Sequence, residues 1–154
     1  VEFTHISKEK ESNSMGIAAT AHGTLFNIGD GASPEGFTLI PGVQRVNAPD
    51  IRTEFIDVTS HDSVGAFREF FPGLKDGETV TAEILWRPSN AVHQGIRDDG
   101  YAATIRNWRI VFPDTSENTC DFAGYVSGFP GQANAAEVLR NTLGVKVTGL
   151  PVWS

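Results

Sequence analysis

The sequence predicts a mainly β domain with a single helix. Three observations carry this. Sixteen Gly and eight Pro among 154 residues punctuate the chain too often for long helices. Two runs, 78–86 and 104–112, alternate apolar and polar residues with the period of a strand. One stretch, 89–98, combines a capping residue with apolar residues four apart.

Residues 24–28 read as a short strand, closed by Asp30-Gly31, a turn pair that favours positive φ. Two short strands, 36–40 and 43–47, flank Pro41-Gly42, a type II turn signature. Residues 52–59 form a longer strand, with Ile51, Thr53 and Phe55 facing opposite to Ile56 and Val58. A long loop, 60–77, follows, with Val64, Phe67, Arg68, Phe70, Phe71 and Leu74 around the turn Pro72-Gly73. Apolar side chains in a loop have no core of their own, so this segment is expected to contact another chain. In 78–86, Val80, Ala82, Ile84 and Trp86 share one face, and Thr79, Thr81, Glu83 and Leu85 the other.

Ser89 or Asn90 caps the helix, Val92 and Ile96 lie on one side of it, and it ends at Asp98-Asp99-Gly100. Two acids there oppose the helix dipole, so local helix stability did not select them. A solvated helix end accounts for them, and so does a charged assembly surface. In 104–112, Ile105, Asn107, Arg109 and Val111 oppose Arg106, Trp108, Ile110 and Phe112. After Pro113-Asp114 the chain returns as a strand over 119–129. Residues 134–140 suit a helix by propensity and a strand by alternation, and 145–148 is strand.

The length allows one domain with a full core. No apolar run approaches the roughly 20 residues of a membrane span. Cys120 is the one cysteine, which excludes an internal disulfide, and its setting, Cys120-Asp121-Phe122-Ala123, suits a buried thiol. A net charge of −7 argues against ordinary nucleic-acid binding, which needs Lys and Arg at the phosphates. It is compatible with a surface past which DNA slides without sticking. Residues 1–14 are polar and aperiodic, and precede Met15, the one methionine. Lys8-Glu9-Lys10-Glu11 implies purine-rich codons where a ribosome-binding site would stand. Residues 1–14 are therefore expected to be a translated leader, with a flexible arm as the competing reading. A chain starting at Met15 carries −6.

Catalytic constellations are not found. Gly29-Asp30-Gly31 lacks the third glycine of a dinucleotide loop, and Ser127 stands in Gly-x-x-Ser-Gly rather than in a nucleophile elbow. His5, His22, His61 and His93 are scattered, without metal-ligand spacing. His61-Asp62 reads as a polar loop pair, and His93 as a surface or rim residue of the helix. Arg106 and Arg109 flank Trp108 and are expected to pair with acids. No cofactor, metal or catalytic residue is expected.

The order of motifs resembles the tail tube proteins, or major tail proteins, of lambda-like long-tailed bacteriophages. The matching pieces are GTLFNIGDGASPEGFTLIPGV at 23–43, IDVTSHD at 56–62, REFFPGLKDGETV at 68–80, the helix start from Pro88 to His93-Gln94, RNWRIVFPD at 106–114, FAGYVSGFP at 122–130 and VKVTG at 145–149. The specificity lies in their order, since no single one is diagnostic. The resemblance implies a β-sandwich or rolled barrel with one flanking helix. It implies hexameric rings, joined edge to edge and stacked into a hollow tube that carries double-stranded DNA. It also implies a tape-measure protein, a tail terminator and tail-tip proteins as partners, and no membrane. The expected location is the virion tail, and the host cytoplasm during assembly. In such proteins the loop corresponding to 60–77 is mobile in the free monomer and orders on stacking. Val64, Phe67, Arg68, Phe70, Phe71 and Leu74 are then the contact residues between rings or subunits. Glu54, Asp57, Glu78 and Glu83 are the candidate lumen acids. The sequence stops at Ser154, without the immunoglobulin-like domain of lambda's own protein, so a smooth tube is expected. Phage and domesticated phage-like particle both fit. The alternative reading is a β-sandwich binding module for carbohydrate or protein, with Trp86, Trp108 and Trp153 as stacking platforms. A small hydrolase using Asp98, Asp99 or His61 is the third.

Overall fold

A computed structural model of the chain describes residues 20–154. The leader expected over 1–14, with His5 and Met15, lies outside the described residues.

Seven strands make one antiparallel path. In chain order they are β1 (Leu25–Gly29), β2 (Phe37–Leu39), β3 (Val43–Val46), β6 (Thr79–Leu85), β7 (Ile105–Val111), β8 (Thr119–Gly128) and β10 (Arg140–Trp153). Their order across the sheet is β2-β1-β7-β8-β10-β6-β3, and the short β9 (Gly131–Gln132) pairs with the start of β10. The two edges, β2 and β3, are consecutive in sequence and separated only by residues 40–42. So short a link brings the two edges together at one corner, which rolls the sheet. Ile40 N–H donates to the Phe26 carbonyl at 2.9 Å on one side of the seam, and Leu85 N–H to the Gly42 carbonyl at 2.8 Å on the other. Gly42 takes φ of +79°, and a Cβ there would stand 2.8 Å from the Leu85 carbonyl, so the corner requires glycine.

The alternating strands turn their apolar faces into this roll. Phe26, Val80, Ala82, Ile84, Trp108, Ile110, Phe122, Leu143, Val145 and Val147 form the core. Trp108 stacks on Phe26 at 5.5 Å between centroids, and its indole N–H donates to the Gly124 carbonyl at 3.3 Å. Cys120 is fully buried, and burial pushes its thiol up to about 11. The buried neutral thiol therefore supports folding below about pH 9, and that support is lost as pH rises toward the folded value. A thiol reagent at pH 8 is expected to modify Cys120 at the rate of unfolding, with denaturant accelerating it. Modification of the native protein at a free-thiol rate would contradict this burial.

Helix α1 (Ala91–Ala102) packs on β8 and adds Ile96 to the core. Asn90 caps it, its side-chain oxygen accepting from the backbone of Val92 and His93. Two sequence expectations fail here. The helix continues past Asp98-Asp99-Gly100 to Ala102 and closes on Ala103 in the left-handed region, at φ of 50°. It continues because Asp99 turns inward to the Arg106 guanidinium, at 3.0 and 3.1 Å, which answers a charge the dipole disfavours. His93 is buried rather than at the rim. Its Nδ1 accepts from Arg87 N–H at 3.1 Å, and Nε2 lies 2.8 Å from the Pro41 carbonyl, tying the helix to the seam. Residues 134–140 form a turn followed by the start of β10, not a helix. Pairing of Arg140 and Asn141 with Leu85 and Ile84 on β6 overrides helix propensity.

Candidate assembly surface

Two strands stand apart from the roll. β4 (Ile51–Asp57) and β5 (Phe70–Gly77) pair antiparallel in a sheet of their own, and this ribbon carries most of the exposed apolar side chains expected to make contacts. By sequence 70–77 reads as part of a loop, with Pro72-Gly73 as its turn. The ribbon absorbs that pair. Its register shifts by a bulge between Thr53 and Phe55, bringing Phe55 opposite Pro72, Ile56 opposite Phe71 and Asp57 opposite Phe70. Proline is tolerated because every strand of a two-stranded sheet is an edge.

The segment joining the two strands is built from polar groups that bond to one another. Val58 N–H donates to the Glu69 carbonyl at 2.9 Å, Glu69 N–H to Thr59 Oγ1 at 2.9 Å, and Ser63 Oγ to Glu69 Oε2 at 2.6 Å. The Asp57 carboxylate accepts from the Thr59 hydroxyl and N–H and pairs with Arg68 at 2.9 Å, which holds it below the usual carboxylate range. A tight 3-10 turn, Val64–Ala66, forms the tip. With the polar groups engaged inside the loop, the apolar ones face solvent: Val64 is 87% exposed, Leu74 84% and Phe67 76%. Phe70 and Phe71 are also exposed, and Arg68 lies 5.8 Å above the Phe70 ring. All six predicted contact residues therefore lie on the ribbon or its tip. Phe55, Ile56 and Val58, outside the six expected contacts, are exposed as well. The available signal was apolar residues on both faces of 51–58, which a strand with one buried face does not show.

The four candidate acids lie on more than one element. Glu54 is exposed on β4, and Asp57 belongs to the loop network above. Glu78, in the corner between β5 and β6, pairs with Arg52 at 3.6 Å. Glu83 is exposed on β6, between Arg45 of β3 and Thr142 of β10. The expected arginine pairings are present: Arg106 with Asp99, and Arg109 with Asp121 through two contacts of 2.7 Å. Arg109 also lies 4.2 Å above the Phe37 ring. The carboxylate partners raise both arginine pKa values.

The rival chemistries find little support in this arrangement. Trp108 is buried, Trp86 packs over Gly131, and Trp153 stacks on Phe112 at 5.8 Å, so the three do not form one platform. Asp98 pairs with Arg97, Asp99 is engaged by Arg106, and His61 stands exposed in the loop after β4. Among the described residues, no group of His, Cys, Asp and Glu could hold a metal ion. No helix among them is long and apolar enough to cross a membrane.

Residues 20–154 match the family described as "Lambda phage tail tube protein, TTP". The chain belongs to that family. The tail tube protein is thus a structural component of the virion tail. Its fold is similar to that of the tail of an empty gene transfer agent particle, at 15% identity and a TM-score of 0.72, over 89% of this chain and 99% of that one. A chain of the anti-feeding prophage baseplate gives 12% identity and 0.70, over 91% and 97%. The SPP1 tail tube gives 11% identity and 0.62, over 84% and 75%. At such identities the likeness is one of fold. No curated protein sequence matches the chain.

Proposed function

We propose that the tail tube protein closes into hexameric rings, that the rings stack into a hollow tube, and that double-stranded DNA passes through it during ejection. The observation that carries this is the β4–β5 ribbon, whose polar groups bond to each other while its apolar side chains face solvent. Such a surface loses free energy when a second copy covers it. Six-fold closure is supported by fold similarity to a gene transfer agent tail described with C6 symmetry. β2 and β3 meet at the 40–42 corner but each pairs with one strand only, which leaves backbone groups for ring closure. Val64, Phe67, Arg68, Phe70, Phe71 and Leu74 make the stacking contact, joined by Phe55, Ile56 and Val58. The partners are a tape-measure protein, a terminator and tail-tip proteins, met in the host cytoplasm before the tube becomes part of the virion.

The test is electron microscopy of the purified chain at rising concentration. Hollow tubes with six-fold end views are the expected result. A chain that stays monomeric even when given a tail-tip extract sinks the proposal.

The tube would act on DNA by repelling it. DNA carries one charge per about 1.7 Å of axis, so a basic lumen would hold it by counterion release. Glu54 and Glu83 make no ion pair among the described residues, which leaves their charge available to a lumen. Changing both to Lys is expected to slow ejection while tubes still form. Unchanged ejection kinetics would remove lumen charge from the mechanism.

A further inference from the structure

The ribbon leaves the barrel at one corner, and a basic side chain from the last strand is fastened to that corner. Lys146 lies on β10, opposite Tyr125 of β8 and Thr79 of β6. Its Nζ donates to Asp76 Oδ2 at 2.9 Å and to the Gly77 carbonyl at 2.7 Å. An ammonium group has three donors, so it can engage a carboxylate and a carbonyl together. The corner backbone also presses directly on β10: a Cβ at Gly77 would stand 2.8 Å from Val147 Cγ1. The roots of the two ribbon strands are also joined: Glu78 N–H, just after β5, donates to the carbonyl of Asp50, just before β4, at 2.9 Å.

We propose that Lys146 is a positioning residue that sets the angle of the ribbon to the barrel, and that ring stacking depends on this angle. The proposal rests on the ribbon being the stacking contact. The ribbon acts as a lever. β5 spans eight residues. At about 3.3 Å per residue its tip stands roughly 23 Å from the root, so a tilt of about 10° moves the tip by about 4 Å. That distance is enough to take Phe67 out of any contact made in the correct position. A half-exposed ion pair is weak by itself, and its loss is expected to raise the population of misaligned ribbons about two- to fivefold. Where misaligned ribbons already predominate in the free monomer, a threefold fall in the aligned fraction of each of six ribbons compounds to roughly several hundredfold.

The experiment compares the full chain with Lys146→Met and Lys146→Arg. Hydrogen exchange is followed in the monomer, and tube formation by electron microscopy. In Lys146→Met, amides of 70–77 are expected to exchange about two- to fivefold faster, with β7 and β8 unchanged, and the concentration needed for tubes to rise at least about tenfold. Lys146→Arg keeps charge and donors and should restore both. Faster exchange throughout the sheet would mean a merely structural role and would overturn the proposal. So would wild-type exchange at 70–77, or normal tubes from a loosened ribbon. If the intact chain forms no tubes, the stacking reading fails, and the dependence of stacking on Lys146 falls with it. The exchange rates still show whether Lys146 fixes the ribbon.

Discussion

Replacing Phe67 and Phe71 together by Asp should abolish tubes and leave the monomer as stable as before. Neither ring belongs to the core, and both are largely exposed. Surface substitutions of this kind shift stability by about 0.5 kcal/mol or less. The effect on assembly is of another order. A Phe fully covered by a neighbour contributes about 1.5–3 kcal/mol. Two per subunit and six subunits per ring then give roughly 20–35 kcal/mol per ring contact before the costs of association. The variant forfeits that sum and also places twelve carboxylates where water is excluded. Thermal melting checks the monomer, and electron microscopy checks the tubes. Tubes of normal appearance from the double variant would move the stacking surface elsewhere. Loss of the melting transition would show that the ribbon supports the barrel.

Trp108→Ala should do the opposite, weakening the fold on which everything else rests. Trp108 has no exposure, stacks on Phe26, and donates its indole N–H to Gly124. Truncating a buried Trp to Ala costs about 3–5 kcal/mol. Total stability for a domain is typically about 5–15 kcal/mol, so the variant should unfold at much lower denaturant. Trp108→Phe should lose less, since it keeps a ring against Phe26 and gives up chiefly the hydrogen bond. Urea titration of both variants distinguishes the contributions. A midpoint for Trp108→Ala equal to that of the wild type would mean that the core is not organised around this residue.

What the sequence made legible was whatever a local pattern enforces. The alternation in 78–86 and 104–112 located β6 and β7 because each buries one face, and Val80, Ala82, Ile84, Trp108 and Ile110 are indeed buried. Asn90 marked the helix start because capping is a contact between near neighbours. The errors lie where a distant residue decides. Asp99 became acceptable near a helix end only through Arg106, and His93 became a core residue only because Pro41 and Arg87 come to meet its two ring nitrogens. β5 was hidden because Pro72-Gly73 carries the same signal in an edge strand as in a turn. The exposed phenylalanines were read correctly as exposed, although their backbone was not. Their clustering with Phe55 and Ile56 depends on strand pairing, which no run of residues shows.

The order of strands across the sheet also fixes when the molecule can become itself. β10 lies between β8 and β6, so the last of the described strands to be made is the one that joins the two halves. Leu143 pairs with Ala82, and β1 waits for β7 to be made. Partners so far apart in sequence close slowly. Residues through β10 must therefore leave the ribosome before any barrel can exist. Until then a nascent chain has neither a closed seam nor a rooted ribbon to offer its neighbours. Self-association waits on the arrival of β10 by topology alone.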